Sequence, residues 1–416
     1  MSESTPGIPG SGGQIGIDTW VEQADERIER RGGLAGRINR IWDRIPAAGK
    51  LALLTPAILV PFLPFVSEGN LFNYGIFILI YALLALGLNV VVGFAGLLDL
   101  GYVAFYAIGA FVIGWLASGQ FEHVHLDVLT DVQKVLPGFH INFVIVVIIA
   151  AAFTGLWGVI LGAPTLRLRG DYLAIVTLAF GEIVPRVFEN WEFVSNGRQG
   201  ITPIDRVYLP GVGELNYPIE LTGIYFVGLA MVLVTLFVNI RLRDSRLGRA
   251  WIAVREDEVA AAAMGVNLVR TKLWAYAVGA AFGGFAGAFL GAYRNTVNVD
   301  QFEFGFSVFI LCMIIIGGMG NVAGVILGAV ALSMLDRFIL PQLNSVPDAI
   351  GLNFDLTAVN FGIFGFFLLV MMVLRPEGFI PSTRRKLELH AGEVEDAAAD
   401  RSAEVAPGEP LYEARH

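Results

Sequence analysis

Long apolar runs separated by short polar loops dominate the chain from residue 51 to residue 374. A helix needs about 20 apolar residues to cross a hydrocarbon core of roughly 30 Å. We predict a helix in each of ten runs, which cover 51–66, 73–92, 101–118, 142–163, 172–190, 222–241, 272–293, 304–318, 320–338 and 356–374. The pattern therefore predicts an all-α polytopic membrane protein with about ten transmembrane helices.

The sequence outside these runs is polar and divides into distinct segments. Residues 1–19, rich in Gly, Ser and Pro, are predicted to be a disordered lead. Residues 20–50 repeat apolar residues at helical spacing opposite a basic face, which favours a helix lying on an anionic membrane surface. An ordinary soluble helix is the alternative there. Residues 51–380 form the predicted membrane domain, and the acidic segment 381–416 is predicted to be a disordered tail.

Lys and Arg residues lie mainly in four blocks that a ten-span topology places on the same side of the membrane. These blocks are the segment before the first span, the loops after the fourth and sixth spans, and the segment after the last span. The loops on the opposite side contain few Lys and Arg residues. Because basic loops stay in the cytoplasm, the distribution predicts cytoplasmic N- and C-termini.

The composition agrees with a membrane protein. The chain is 55% hydrophobic and 16% charged, with a mean hydropathy of +0.66, whereas soluble domains contain about 25% charged residues. Much of the net charge of −9 lies in the tail, so the net charge says little about partners, and no nucleic-acid partner is expected. The single cysteine, Cys312, excludes an intrachain disulfide.

A seven-residue pattern occurs twice, at Asp99–Phe105 and at Glu303–Phe309. Each copy reads acid, apolar, glycine, aromatic, two spacers and phenylalanine, and the two begin spans of opposite predicted direction. This arrangement predicts an inverted internal repeat with the substrate path near the midplane between its halves. The path residues predicted from it are Asp99, Gly101, Tyr102, Phe105, Glu303, Gly305 and Phe306. Chance similarity between glycine-aromatic patterns is the alternative.

Two charged residues occur within the fifth predicted span. Glu182 and Arg186 are four positions apart, which places them on one face of a helix. An uncompensated charge at the bilayer centre costs about 2.5–3.5 kcal/mol on insertion scales. We therefore predict that the two residues pair and hold neighbouring spans together. The alternative is a polar lining past which a zwitterion moves.

The loop 242–271 contains the run Glu-Asp-Glu-Val-Ala-Ala-Ala-Ala-Met-Gly at residues 256–265. Three acids thus stand at its start, four alanines in its middle and a glycine at its end. Acids suit a helix N-terminus, alanine favours helix, and glycine ends one. The pattern predicts a short helix of little bulk that fits a groove on another protein, with a solvated connector as the alternative. Its predicted contact residues are Arg255, Glu256, Asp257, Glu258, Ala261, Ala262 and Gly265.

This loop resembles the coupling segment of membrane subunits of ATP-binding-cassette importers, in which Glu-Ala-Ala precedes a glycine and docks onto the ATPase. It departs from the commonest spacing, because Glu258 is seven residues before Gly265, and Val259 stands where alanine is usual. Other segments resemble LivM-type permeases of branched-chain amino acid importers: Leu88–Gly93, Gly96–Leu98, Gly101–Tyr102, Phe105–Ala110, Leu166–Leu178, Phe180–Ile183, Leu247–Trp251 and Gly317–Gly320.

The resemblance covers roughly residues 73–335 and implies a permease of a bacterial inner membrane that imports branched-chain amino acids by alternating access. It implies a second homologous permease, two cytoplasmic ATP-binding subunits and an extracytoplasmic substrate-binding protein as partners. It also implies that this chain binds no cofactor, because ATP is used by the partner subunits. Urea, amides or aromatic acids are alternative cargoes within the same class.

The motif content argues against an enzyme. The chain contains no Gly-x-x-x-x-Gly-Lys-Ser/Thr phosphate loop, so we predict that it does not hydrolyse ATP itself. His123 and His125 lack a third metal ligand nearby, and we predict no metal site. An ion-coupled secondary carrier that protonates Asp99 or Glu182 is a second alternative. It is disfavoured because such a carrier needs no docking helix for an ATPase.

Overall fold

The computed structural model describes residues 70–121, 125–128, 137–165, 171–209, 213–215, 221–343, 360–374 and 378–380, and these are mostly helical. The predictions for the disordered lead, the interfacial helix, the first span and the polar tail lie outside the described residues. Within them the helices are α1 (Asn70–Leu88), α2 (Val103–Leu116), α3 (Phe143–Thr165), α4 (Asp171–Asn190), α5 (Glu192–Ser195), α6 (Leu221–Asp244), α7 (Arg246–Glu256), α8 (Glu258–Ala263), α9 (Leu268–Arg294), α10 (Phe304–Gly317), α11 (Val322–Met334), α12 (Leu340–Leu343) and α13 (Asn360–Leu374).

A helix occupies nine of the ten predicted spans, within a few residues of the predicted bounds. Among the described residues, six helices are long and apolar enough to cross a membrane, namely Phe72–Phe94, Phe143–Thr165, Leu221–Asp244, Leu268–Arg294, Val299–Gly317 and Val322–Ile339. Helix α2 has only 14 residues, and the 20-residue helix α4 contains four charged ones. The chain is thus a helical, multi-pass membrane protein.

Helix α9 lies at the centre of the bundle, where its glycines let other helices approach closely. A Cβ added at Gly284 would overlap the Thr154 hydroxyl of α3. A Cβ added at Gly287 would overlap the backbone carbonyl of Tyr106 in α2. Larger residues at these two positions would push the helices apart, so the glycines determine how α9 packs between α2 and α3.

Side-chain contacts define the helix directions. The Tyr293 hydroxyl, at the end of α9, donates a hydrogen bond of 2.7 Å to Asn73 Oδ1 near the start of α1, so these helices are antiparallel. Helix α2 runs parallel to α9, because the residue before its start, Tyr102, bonds to Gly279 while Ile113 lies beside Gly291.

Helix α1 does not end at Leu88 but continues as a π-helical segment, Asn89–Phe94, whose residues are buried. The chain then turns back before α2 begins. A second interruption follows α9, where residues 295–303 precede α10. A similar π-helical segment, Leu335–Ile339, extends α11.

Short strands cover the end of the bundle to which α2 leads. Strand β1 (Ala117–Ser118) pairs antiparallel with β3 (Gly138–Ile141), which pairs parallel with β2 (His125–Val128). Strands β4 (Val207–Leu209) and β5 (Gly213–Leu215) form an antiparallel pair. His140 Nδ1 lies 2.7 Å from Asp205 Oδ2, and this contact ties β3 to the loop before β4.

Candidate coupling site and substrate path

Helices α7 and α8 form the predicted coupling segment, and local capping determines where each begins. The Ser245 hydroxyl caps α7 by accepting from Gly248 N at 3.1 Å. The Asp257 carboxylate caps α8 by accepting from Val259 N at 2.7 Å and from Ala260 N at 3.0 Å. Helix α8 ends before Gly265, whose φ of +84° places it in the left-handed region that favours glycine. The short helix predicted from the acids and alanines is therefore present.

Two contacts anchor this segment to the first turns of α9. Trp251 is fully buried, and its indole Nε1 donates to the Thr271 carbonyl at 2.8 Å. Lys272, which is buried, forms an ion pair with Glu258 at the start of α8. These two contacts hold the orientation of α7 and α8 relative to a helix that crosses the bundle.

Two exposed apolar side chains, one on α8 and one directly after it, were not selected by the sequence interpretation. Val259 is 75% exposed and Met264 is 85% exposed, while Ala261 packs inward. The remaining predicted contact residues, Glu256, Asp257, Ala262 and Gly265, are also exposed. Two large apolar residues flanking an alanine run were the signal that could have identified this pair.

Arg255 connects the segment to the interior. Its Nη1 donates to the Gly93 carbonyl in the π-helical end of α1, and its side chain lies over Gly96. The neighbouring Gly320 N donates to Asn89 Oδ1 at 3.0 Å, in the turn between α10 and α11. Arg255 therefore lies where α7, the end of α1 and the α10–α11 turn meet.

The first copy of the repeated pattern is packed inside the bundle. Asp99 is buried, and its Oδ1 accepts from Gly101 N at 2.9 Å. The buried Tyr102 donates its hydroxyl to the Gly279 carbonyl at 2.8 Å, and Phe105 is also buried. Since a Cβ at Gly101 would overlap the Thr177 carbonyl of α4, this glycine permits a close helix contact.

The second copy lies at the start of α10 and is more accessible. Glu303 is exposed, and Gly305 and Phe306 are partly exposed. The two copies touch at equivalent positions, because Val103 N donates to Ser307 Oγ at 3.0 Å. Val103 and Ser307 are each the fifth residue of their copy.

The structure corrects the predicted pairing of Glu182 with Arg186. Arg186 instead forms an ion pair with Glu189, three residues later, and Arg198 pairs with the second oxygen of that carboxylate. Glu189 lies closer to the end of α4, where the chain turns back and brings Arg198 within reach. Glu182 is exposed and forms no ion pair among the described residues.

Among the described residues, no group of three or more His, Cys, Asp and Glu side chains could hold a metal ion. His123 lies outside them.

Comparison with known proteins gives a consistent result. A family model described as branched-chain amino acid transport system / permease component matches residues 70–374. The chain is 36% identical over 369 residues to the high-affinity branched-chain amino acid transport system permease protein LivM of Salmonella typhimurium, which covers 84% of this chain and 78% of the relative. The LivM protein of Escherichia coli is also 36% identical, over 82% of this chain and 76% of the relative.

The similarity extends to a second type of permease. The chain is 25% identical to the permease protein LivH of the same Salmonella transport system, over 62% of this chain and 80% of the relative. No solved structure matches the chain. The match of the family model across the described bundle, together with the LivM similarity, shows that this chain belongs to the family of branched-chain amino acid transport system permease components.

Proposed function

We propose that this chain is the membrane-spanning permease subunit of an ATP-binding-cassette importer that moves branched-chain amino acids into the cytoplasm. The proposal depends mainly on the exposure of the α7–α8 segment and on its contact with the bundle interior. It exposes Val259 and Met264 at one end of the bundle, and Arg255 connects it to the end of α1. The cargo is supported by the LivM relatives, whose names state branched-chain amino acid transport.

The proposed assembly contains this chain, a LivH-like second permease, two cytoplasmic ATP-binding subunits and an extracytoplasmic binding protein. The similarity to both LivM and LivH supports a pair of related permeases. The chain has no phosphate loop, which supports a separate ATPase. The exposed apolar pair on α8 supplies the kind of surface that an apolar groove on such a subunit would bury.

We place the α7–α8 end of the bundle in the cytoplasm of a bacterial cell, within the inner membrane. Arg241 and Arg243 lie at the end of α6, immediately before this segment, and Arg270 lies after it. This concentration of arginine supports a cytoplasmic position under the positive-inside rule. Cytoplasmic termini and about ten spans follow if the first predicted span also crosses.

The proposed core is an inverted repeat in which α1–α2–α3 corresponds to α9–α10–α11. Helix α9 packs against α3 and α1 packs against α11, which are the two pairs that an exchange of the halves would relate. Each half contains an interruption after its first helix. The hydrogen bond between Val103 and Ser307 joins equivalent positions, which is the contact expected beside a pseudo-two-fold axis.

Alternating access would follow from movement of α8 by the ATPase subunits. Because Arg255 contacts the end of α1 and lies beside Gly320, displacement of the segment would act on both halves of the repeat at once. The interrupted helices are the places where such a displacement can be absorbed. The buried Asp99, Gly101, Tyr102 and Phe105 would contact substrate only in another conformation, whereas Glu303, Gly305 and Phe306 are accessible in this one.

Reconstitution in liposomes tests the proposal. The chain is assembled with its second permease and ATPase subunits, with the binding protein on the opposite side, and uptake of labelled leucine is followed. We expect uptake that requires ATP on the α7–α8 side. Uptake driven by a proton gradient without ATP would instead establish a secondary carrier, and preference for urea, an amide or an aromatic acid would change the cargo.

A further inference from the structure

Helix α4 carries an exposed carboxylate at about half the depth of the bundle. A Cβ added at Gly181, beside Glu182, would lie 3.0 Å from Gly101 Cα. The next residue, Tyr102, bonds to the carbonyl of Gly279, which lies near the middle of the 27-residue helix α9. Glu182 therefore lies close to the level of the middle of α9, a helix that is long and apolar enough to cross a membrane.

The face of α4 that includes Glu182 is not covered by the rest of the described chain. Ile183 is 52% exposed, and Glu182, Arg186 and Val187 are exposed as well. Arg186 is already paired with Glu189, so the Glu182 carboxylate is left without an ion-pair partner among the described residues. This surface therefore combines apolar side chains with an acid that forms no ion pair among the described residues and interacts with the Arg186 charge one helical turn away.

Helix α3 reaches the same depth with a different surface. Its Gly155 lies beside Ala277 and Ala281 of α9, close to Gly279. The neighbouring Leu156 is 57% exposed, and the 23-residue helix contains no charged side chain. The exposed face of α3 can therefore contact lipid without placing a charge in hydrocarbon, whereas the exposed face of α4 cannot.

The start of α10 extends the α4 surface. Helix α10 and the 3-10 turn before it, Val299–Gln301, pack against α4. Exposed Glu303 and partly exposed Phe306 belong to this start of α10. Two exposed acids, Glu182 and Glu303, thus come from adjacent elements on one side of the bundle.

Ionisable side chains inside membrane segments face other protein or a water-filled cavity rather than lipid. We infer that the exposed face of α4 lines the substrate path opposite the second permease, and that Glu182 faces the ammonium group of the passing amino acid. The inference rests on the proposed function. A carboxylate complements the protonated α-amino group that all these substrates share, and the second permease is the partner that would close the path on this side.

Accessibility to a water-borne thiol reagent tests the inference. In the assembled transporter, the buried native cysteine is replaced by Cys312→Ser, and Glu182→Cys is compared with Leu156→Cys at the same depth. A membrane-impermeant methanethiosulfonate reacts with the thiolate, which forms in water and is disfavoured in hydrocarbon. We therefore expect Glu182→Cys to be labelled at least about tenfold faster than Leu156→Cys.

Labelling of Glu182→Cys at a rate no higher than that of Leu156→Cys overturns the inference. Ile183→Cys, on the same exposed face, removes no charge and is used for the comparison if the Glu182→Cys chain does not assemble. Leucine uptake by the Cys312→Ser transporter is measured in parallel. If the Cys312→Ser transporter imports leucine with ATP while the α4 face is unlabelled, only the inference fails. If neither this transporter nor the wild-type assembly imports leucine with ATP, the proposed function is wrong.

Discussion

The guanidinium of Arg255 donates a hydrogen bond to the backbone carbonyl of Gly93, a residue 162 positions earlier in the chain. This bond joins the segment that protrudes from the bundle to the π-helical end of α1. Gly96, with a φ of +70°, lies directly under the same side chain, and a Cβ there would lie 2.6 Å from Arg255 Cγ. Arg255 thus joins the predicted coupling segment to the bundle interior by a hydrogen bond and by close packing over Gly96.

Replacing Arg255 with alanine is expected to uncouple transport from ATP hydrolysis. A hydrogen bond to a charged group contributes about 1.5–3 kcal/mol, so we expect the number of amino acid molecules imported per ATP to fall about tenfold. The measurement is parallel leucine uptake and phosphate release in proteoliposomes. Arg249→Ala is the matched control, because Arg249 is exposed and bonds only locally, to the Asp244 carbonyl. An unchanged ratio for Arg255→Ala would show that the bond does not transmit movement.

Placing a charge on the tip of α8 is expected to prevent ATPase docking. Val259→Asp would put a carboxylate into the apolar groove proposed to receive this side chain, where an unpaired charge is costly. We expect the ATPase subunits to be lost from the purified complex while the permease itself stays folded, because Val259 is exposed in the bundle. Arg270→Asp, on the exposed side of the first turn of α9, is the control. Retention of the ATPase subunits by Val259→Asp would place the docking surface elsewhere.

Removing the Ser307 hydroxyl is expected to destabilise the contact between the two copies of the seven-residue pattern. Ser307→Ala leaves the buried Val103 N–H without its acceptor, and an unsatisfied buried donor costs about 1–3 kcal/mol. We expect a lower thermal unfolding temperature in detergent. Ser333→Ala is a suitable comparison, since the Ser333 hydroxyl is buried with no hydrogen-bond partner among the described residues. Equal effects of the two substitutions would argue against a special role for the Val103–Ser307 bond.

Adding one methyl group at Gly101 is expected to disrupt the packing of α2 on α4. The new Cβ of Gly101→Ala would overlap the Thr177 carbonyl, and backbone atoms can move away only if the helices separate. Overpacking of this kind costs about 1–3 kcal/mol or more, so we expect a marked loss of folded protein, measured by size-exclusion chromatography. At Gly365 in α13 an added Cβ has no described heavy atom within 4 Å, and Gly365→Ala is expected to be tolerated. Normal yield of Gly101→Ala would indicate that α4 is less closely packed.

Sequence periodicity located the helices well because a transmembrane helix is defined by a local property, a run of apolar residues long enough to cross hydrocarbon. Nine predicted spans therefore coincide with observed helices. The same holds for α8, since the acids, the alanines and Gly265 act within a few residues of one another. The start of α9 was predicted less accurately, because the helix begins at Leu268 and its first turn, which contains Arg270, lies outside the apolar run predicted from residue 272.

Ion pairs and burial that depend on distant parts of the chain could not be predicted from local sequence patterns. Glu182 and Arg186 have the correct spacing for a pair, yet Glu189 is bound by both Arg186 and Arg198, which a chain reversal brings together. Spacing along one helix could not show that a third element supplies a competing partner. Asp99 and Tyr102 were likewise predicted to line the path, whereas close approach of α1, α4 and α9 buries them in this conformation.

The sequence by itself determined that this is a helical membrane protein with a short acidic and alanine-rich helix in the loop 242–271, because both features depend on neighbouring residues. Only the tertiary structure decided which distant groups meet, such as the Arg255 side chain with the Gly93 carbonyl and the Val103 N–H with the Ser307 hydroxyl. It also decided that the exposed Glu182 lies at the depth of apolar Leu156 on another helix. Depth and exposure depend on how the helices pack against one another, and that packing combines contacts from segments more than a hundred residues apart.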